Sequence, residues 1–118
     1  MRALGLMIIV AAVVMACGDN YGSNPYGGGT GGHSTTITVS NDRFNPTPDT
    51  VSAGQVTFSW SNASHGHNVT WDTGPSTPSN SQTMTSGTFP VTLQTGTYTY
   101  HCTFHAVSAG MRGTIVVQ

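Results

Sequence analysis

Apolar and polar residues alternate along most of the chain after residue 33, and this period of two predicts short β-strands. In the segment QVTFSWS, Val56, Phe58 and Trp60 fall on one face, while threonine and serine fall on the other. Four more segments repeat the pattern: TTITVS, TFPVTL, GTYTYHC and RGTIVVQ. No ten-residue stretch after residue 33 has helical periodicity, so the predicted fold class is all-β.

Two further segments complete the predicted strands. The segment HNVTW is a predicted strand, and His67 is its first inward-facing residue. RFNPTPDTVSAG carries Phe44 into the core, but its prolines interrupt any strand ladder. Residues 72–82 are rich in Pro, Ser and Asn and are predicted to form a loop. About seven short strands at this spacing predict a β-sandwich over residues 34–118.

The start of the chain has the layout of an export signal. Arg2 gives a positive start, and the apolar run from Ala3 to Ala16 is too short to span a bilayer comfortably. The segment VMAC is similar to a bacterial lipobox, in which the chain is cut before the cysteine and the sulfur receives lipid. We therefore expect a signal peptide over residues 1–16 and a lipid on Cys17. A plain signal peptide, cut nearby, is the alternative.

The segment that follows, GDNYGSNPYGGGTGGH, has no hydrophobic period and predicts a flexible tether, so that residues 17–33 form the lipidated cysteine and its linker. Such a coil has a root-mean-square reach of about 22 Å. His33, at its end, is expected to be an ordinary linker residue. These features predict an exported protein on the periplasmic or cell-surface side, anchored to a membrane through Cys17.

Charged residues are few: the chain has three arginines and four aspartates, with no lysine and no glutamate. This balance excludes the basic surface of a nucleic-acid-binding protein and gives no polybasic patch for anionic lipids. With 118 residues, the chain has room for one small domain, which we expect to be a monomer.

Residues with metal-binding side chains gather near the end of the chain. In GTYTYHC, the tyrosines and Cys102 share the face assigned to the core, so the thiol points inward where the strand ends. His105 follows after two residues, and Met111 closes the loop. If Cys17 carries lipid, Cys102 is a free thiol in an exported protein, and such a thiol needs a function.

An inward histidine such as His67 needs a partner for its nitrogens, because burying an unsatisfied polar group is costly. One thiolate, two imidazoles and a thioether together form the ligand set of a blue-copper electron-transfer centre. Cu(I) favours sulfur and low coordination whereas Cu(II) favours nitrogen, so a mixed set serves both states with little rearrangement.

The segments HNVTW, YTYHCTFHAVSAGMRGTIVV and FNPTPDTVSAGQVTFSWSN resemble the plastocyanin, pseudoazurin and amicyanin group of cupredoxins. The resemblance covers about residues 36–118 and implies a Greek-key β-sandwich that binds one type 1 copper ion. It also implies three equatorial ligands and one axial ligand, which are, in order, His67, Cys102, His105 and Met111. Five residues separate His105 from Met111, one more than plastocyanins commonly have.

The resemblance gives Asn68 a supporting role, in which it ties the first ligand loop to the cysteine loop with Thr103 as its partner. His65 could compete with His67 as a ligand, but only His67 is followed by the Asn-Val of the family. We therefore expect His65 to be an exposed loop residue near the site. His101 points outward, either as a solvent-facing residue or as an exit for electrons.

The expected function is that of a membrane-tethered blue-copper protein, not an enzyme, that shuttles one electron between transient redox partners. A copper-binding protein for acquisition or storage is the alternative. An enzyme such as a copper nitrite reductase or multicopper oxidase needs a further cupredoxin domain or copper site, for which the chain has no room. A metal-free adhesion or sugar-binding sandwich would leave Cys102 and His67 unexplained. The surface for transient docking is expected to be apolar and to be formed partly by Phe104, Ala106, Val107, Ala109 and Gly110.

Overall fold

The structure is a computed structural model that describes residues 33–118, which form two four-stranded β-sheets. The eight strands are β1 (Thr36–Ser40), β2 (Arg43–Asn45), β3 (Asp49–Val51), β4 (Gly54–Trp60), β5 (Thr70–Thr73), β6 (Gly87–Leu93), β7 (Gly96–His101) and β8 (Arg112–Val117). The predicted signal peptide, the lipidated Cys17 and nearly all of the tether lie outside the described residues. Within residues 33–118, no helix is long and apolar enough to cross a membrane.

Each sheet combines one parallel strand pair with two antiparallel pairs. The first sheet has the strand order β2-β1-β4-β6, and the second has the order β3-β8-β7-β5. β1 runs parallel to β4, and β3 runs parallel to β8, while all other neighbours are antiparallel. The all-β sandwich predicted from the alternation of residues is confirmed.

The sandwich has eight strands rather than about seven, because the segment RFNPTPDTV forms two of them. Phe44 lies in β2, which pairs with β1, whereas Val51 lies in β3, which pairs with β8 in the other sheet. Pro46 and Pro48 lie between the two strands, and a proline has no amide hydrogen to give to a ladder. The chain therefore leaves the first sheet and joins the second within a few residues.

The inward residues of both sheets form one continuous core, and its aromatic rings meet edge to face. Tyr100 lies 4.8 Å from Phe44 and 5.1 Å from Phe58, measured between ring centroids. Tyr98, Tyr100 and Cys102 are fully buried, as the predicted inward side of β7 requires. Rigid packing around Tyr100 therefore fixes the end of β7, from which Cys102 continues.

The predicted strand HNVTW begins later than expected, because β5 starts at Thr70. His67 instead makes an isolated pairing with Met84, in which each amide donates to the carbonyl of the other at 3.0 and 2.9 Å. The amide of Val69 donates to the hydroxyl of Ser81 at 2.8 Å, so a side chain takes the place of a neighbouring strand. His67 is therefore a loop residue whose backbone is held in place on both sides.

Candidate metal centre

Three of the four predicted ligands come from one connection, the loop between β7 and β8. Cys102 directly follows β7, His105 lies within the loop, and Met111 directly precedes β8. His67 comes from the loop between β4 and β5. Cys102 and His67 are fully buried and Met111 is 1% exposed, whereas the side chain of His105 is 21% exposed. The fold thus brings together predicted ligands from two loops that are distant in sequence.

The thiol of Cys102 lies between two imidazoles. Its Sγ atom is 3.8 Å from Nδ1 of His67 and 3.6 Å from Nδ1 of His105. A trigonal metal with bonds to sulfur and nitrogen of about 2.3 and 2.0 Å places those two atoms about 3.7 Å apart. The three side chains are therefore spaced to hold one metal ion, and a thiolate with two imidazoles suits copper.

Backbone hydrogen bonds close the loop that carries these ligands. The carbonyl of Cys102 accepts from the amide of Ala106 at 2.9 Å, and the carbonyl of His105 accepts from the amides of Ala109 and Met111 at 3.0 and 3.1 Å. The amide of Cys102 donates to the carbonyl of Met111 at 3.1 Å. Gly110 supplies the left-handed turn before Met111, with φ of 65°. The five-residue spacing is thereby accommodated with Met111 buried beside the site.

Asn68 joins the two ligand loops. Its side-chain nitrogen donates to the hydroxyl of Thr103 at 2.9 Å, and its side-chain oxygen accepts from the amide of Thr103 at 2.9 Å. Asn68 follows His67 and Thr103 follows Cys102, so each contact lies one residue from a predicted ligand. This paired contact restrains the distance between the two loops.

The environment of His67 keeps its imidazole neutral, which is the form that binds metals. Burial lowers the pKa of His67, and the neighbouring imidazoles of His105 and His65 lower it further. The carbonyl of His67 accepts from the indole nitrogen of Trp60 at 3.1 Å, while its Nε2 atom has no hydrogen-bond partner among the described residues. The backbone of His67 is thus held by Trp60, and its Nδ1 atom is the ring nitrogen that faces the thiol.

Asp42 and His65 adjoin the site, and sequence reasoning missed the first of them. Nε2 of His65 lies 3.2 Å from Oδ1 of Asp42, and Nε2 of His105 lies 3.7 Å from the same oxygen. The rings of His65, His67 and His105 form a triangle with centroids 4.7 to 4.8 Å apart. The hydrogen bond from His65 lowers the pKa of Asp42. No motif or spacing links Asp42, in the turn between β1 and β2, to the histidines.

His101 occupies the outward face of β7, as predicted, and its ring is engaged by a carboxylate. Nδ1 of His101 lies 2.7 Å from Oδ1 of Asp72, and a guanidinium nitrogen of Arg112 lies 3.8 Å from the other oxygen of Asp72. The ring therefore lies against the protein surface beside this carboxylate, with 21% of its side chain exposed.

Large apolar side chains are exposed on the loop that carries His105. Phe104 is 59% exposed and Val107 is 95% exposed. These are the large hydrophobic residues that remain exposed within residues 33–118. The Phe104 ring lies 6.3 Å from the imidazole of His105 between centroids. The predicted apolar surface therefore shares its loop with the most accessible of the four predicted ligands, and Phe104 lies beside that ligand.

Comparison with known proteins agrees with this geometry. The family described as the cupredoxin-like domain matches residues 6–117. A reduced Cu(I) form of an amicyanin variant at pH 4 is 28% identical with a TM-score of 0.56, and the match covers 75% of this chain and 84% of that chain. Amicyanin from Paracoccus versutus (Thiobacillus versutus) is 25% identical with a TM-score of 0.55, covering 70% of this chain and 79% of that chain. No curated protein sequence matches the chain.

Proposed function

The chain belongs to the cupredoxin-like family, and on this premise we propose that it is a type 1 copper protein that carries single electrons. The observation that carries the proposal is the position of the Cys102 sulfur, within 3.8 Å of Nδ1 of both His67 and His105. The cofactor is copper, one ion per domain, which supplies the one-electron couple between Cu(I) and Cu(II).

In the proposed centre, Cys102, His67 and His105 would hold the copper ion, with the thioether of Met111 as a weaker fourth ligand. Cys102 and His67 are fully buried, which keeps the thiolate away from water and oxidants, whereas the imidazole of His105 is partly exposed. The hydrogen bonds across the β7–β8 loop hold Cys102, His105 and Met111 in one arrangement. A ligand set that does not move between oxidation states lowers the barrier to electron transfer.

Electrons would enter and leave through the His105 side of the domain. His105 is the most exposed of the proposed ligands, and the exposed side chains of Phe104 and Val107 belong to the same loop. A small apolar patch suits the weak and transient contacts of redox proteins, which bury little area. The redox partners are accordingly proposed to be proteins that dock on this surface. His101 remains a second possible exit, through the bonds that join it to Cys102.

The membrane location belongs to the proposal as well. Cys17 would carry the lipid after removal of residues 1–16, and the glycine-rich tether would leave the copper domain free to turn towards its partners. The domain would then act outside the cytoplasm, on the periplasmic or cell-surface side. No enzymatic role is proposed, since the family and the ligand set suit electron transfer.

The test is addition of Cu(II) to the purified metal-free protein. We expect intense blue colour from thiolate-to-copper charge transfer and a stoichiometry of one copper per chain. Cys102→Ser, which keeps the size of the side chain, should bind copper without the blue band. Absence of the band from the unmodified protein would refute the proposal.

Copper acquisition or storage is the second candidate, and the pair of exposed metal-binding side chains beside His105 favours it. Electron self-exchange distinguishes the two, because a carrier must cycle rapidly between Cu(I) and Cu(II). Rapid exchange, measured by NMR line broadening in mixtures of both states, is expected. Slow exchange with tight binding would favour storage.

A further inference from the structure

Asp42 and His65 form a cluster with the outer nitrogen of His105 that the proposed copper centre does not use. His105 faces Cys102 through Nδ1, so its Nε2 atom points away from the thiol. The Oδ1 atom of Asp42 lies 3.2 Å from Nε2 of His65 and 3.7 Å from Nε2 of His105. Three ligand atoms therefore converge outside the buried site.

The spacing of these atoms fits a metal ion. A tetrahedral ion with bonds to nitrogen and oxygen of about 2.0 to 2.1 Å places its ligand atoms about 3.3 Å apart. Asp42, His65, His67 and His105 each offer a ligand atom within 4.8 Å of the other three. Carboxylate and imidazole ligands suit divalent ions, and among first-row metals Cu²⁺ binds such sites most strongly.

The cluster is open to solvent, whereas the thiol is not. The side chains of Asp42 and His65 are 44% and 46% exposed, while Cys102 is fully buried. A surface hollow of about 440 Å³, lined by His65, Gly66, Thr83, Phe104 and His105, leads to the cluster. An ion that enters this hollow meets the imidazoles of His65 and His105, which line it, whereas the sulfur of Cys102 is not exposed.

We infer that Asp42, His65 and Nε2 of His105 form a copper-capture site, at which Cu²⁺ binds before it passes to the buried thiolate. The inference rests on the proposed copper centre as the destination. Bonds from the ion to Asp42, His65 and Nε2 of His105 break as bonds to Cys102, His67 and Nδ1 of His105 form. The thiol proton of Cys102 leaves to water, and His105 exchanges a proton on Nδ1 for one on Nε2 through water. Copper stays Cu(II) throughout.

The experiment mixes metal-free full-length protein with Cu(II) in a stopped-flow spectrometer and follows the blue absorbance. In the unmodified protein, the rate of colour formation should saturate as Cu(II) is raised, because capture precedes transfer. His65→Asn and Asp42→Asn should each slow loading at low Cu(II) by about 10-fold or more, the usual scale for loss of a metal-site contact. The final blue absorbance should stay the same.

Asp72→Asn is the matched control, because Asp72 is also a part-exposed aspartate in contact with a histidine, His101. It removes the same charge and should leave loading unchanged. Loading that is unaffected by His65→Asn and Asp42→Asn, or slowed equally by Asp72→Asn, would overturn the inference.

A protein that never turns blue would refute the proposed copper centre without deciding the capture site. Quenching of the intrinsic fluorescence by Cu(II) would then decide it. Weakening of this binding in both His65→Asn and Asp42→Asn supports capture, and unchanged binding refutes it.

Discussion

Substitution of Met111 tests whether its buried thioether contacts the metal. Met111 is 1% exposed, and its backbone is hydrogen-bonded to Cys102 and His105. A fourth donor, even a weak thioether, stabilises Cu(II) more than Cu(I), because Cu(I) favours low coordination. Met111→Leu should therefore keep copper and most of the colour but raise the reduction potential, measured by voltammetry. Met84→Leu, which changes a methionine that packs against the core, is the control. An unchanged potential in the Met111 variant would exclude contact with the metal.

His67 makes the stability of the metal-free protein depend on pH. Burial lowers its pKa below the ordinary value of 6.5, so the unfolded chain takes up a proton at a pH where the folded protein does not. Stability should be full above pH 6.5, fall below it, and level off once the folded histidine is protonated. The lowered pKa of Asp42 acts separately, below its ordinary value of 3.8.

Urea denaturation of metal-free protein at several pH values would measure this fall. His67→Asn should flatten the dependence between neutral and mildly acidic pH, and His33→Asn, at an exposed position, should preserve it. If the His67 variant kept the full dependence, another group would be responsible.

At the scale of elements, the contact between Asn68 and Thr103 connects the two loops that supply the ligands. Asn68→Ala removes both hydrogen bonds of 2.9 Å and frees the loops to move apart. Copper affinity should fall by about 10- to 100-fold, as is typical when a residue that orients metal ligands is lost. Competition with a chelator would measure the change.

Asn80→Ala is a suitable control for this variant. The side-chain oxygen of Asn80 also accepts a hydrogen bond from a backbone amide, that of Trp71, at 3.1 Å. Asn80 lies outside the ligand loops. Copper affinity should be close to normal in Asn80→Ala. Equal losses in both variants would point to general loosening of the fold instead.

The strands that the sequence predicts well are those whose local pattern agrees with their pairing. β4, β7 and β8 lie within one residue of the alternating segments that predict them. HNVTW fails at its start, because His67 pairs with Met84 and Val69 with a side chain of Ser81. Those partners belong to a distant loop, and alternation along one segment carries no information about them.

The candidate site likewise contains residues that the sequence predicts and residues that it does not. Cys102, His105 and Met111 lie within ten residues, so a local motif and the phase of one strand place them together. Asp42 approaches His65 and His105 only because the turn between β1 and β2 packs beside the ligand loops. A contact made by packing between separate turns leaves no pattern along the sequence.

At the scale of the whole molecule, the two cysteines are expected to have separate roles. Cys17 follows an apolar run and precedes the proposed tether, whereas Cys102 is buried among aromatic residues. More than one lipid chain gives stable membrane attachment, at about 0.8 kcal/mol for each buried CH₂ group. Cys17→Ser should therefore release the protein from membranes or block its processing, yet keep the blue colour.

Cys102→Ser should have the opposite effect, losing the colour while the protein stays membrane-bound. Cell fractionation and visible absorbance measure the two properties independently. Loss of both properties in each variant, or a disulfide between Cys17 and Cys102 detected by mass spectrometry, would contradict the anchored-carrier proposal.

The parallel pairing of β3 with β8 means that the copper centre is completed late in folding. Asp49 pairs with Ile115, so β3 has no partner until the distant β8 segment lies beside it. Such distant pairings form slowly, because a long loop must close first. Three of the four proposed ligands lie beyond residue 101 as well. A chain truncated before Cys102 therefore has neither the partner strand of β3 nor a complete ligand set, and copper can distinguish it from the folded domain.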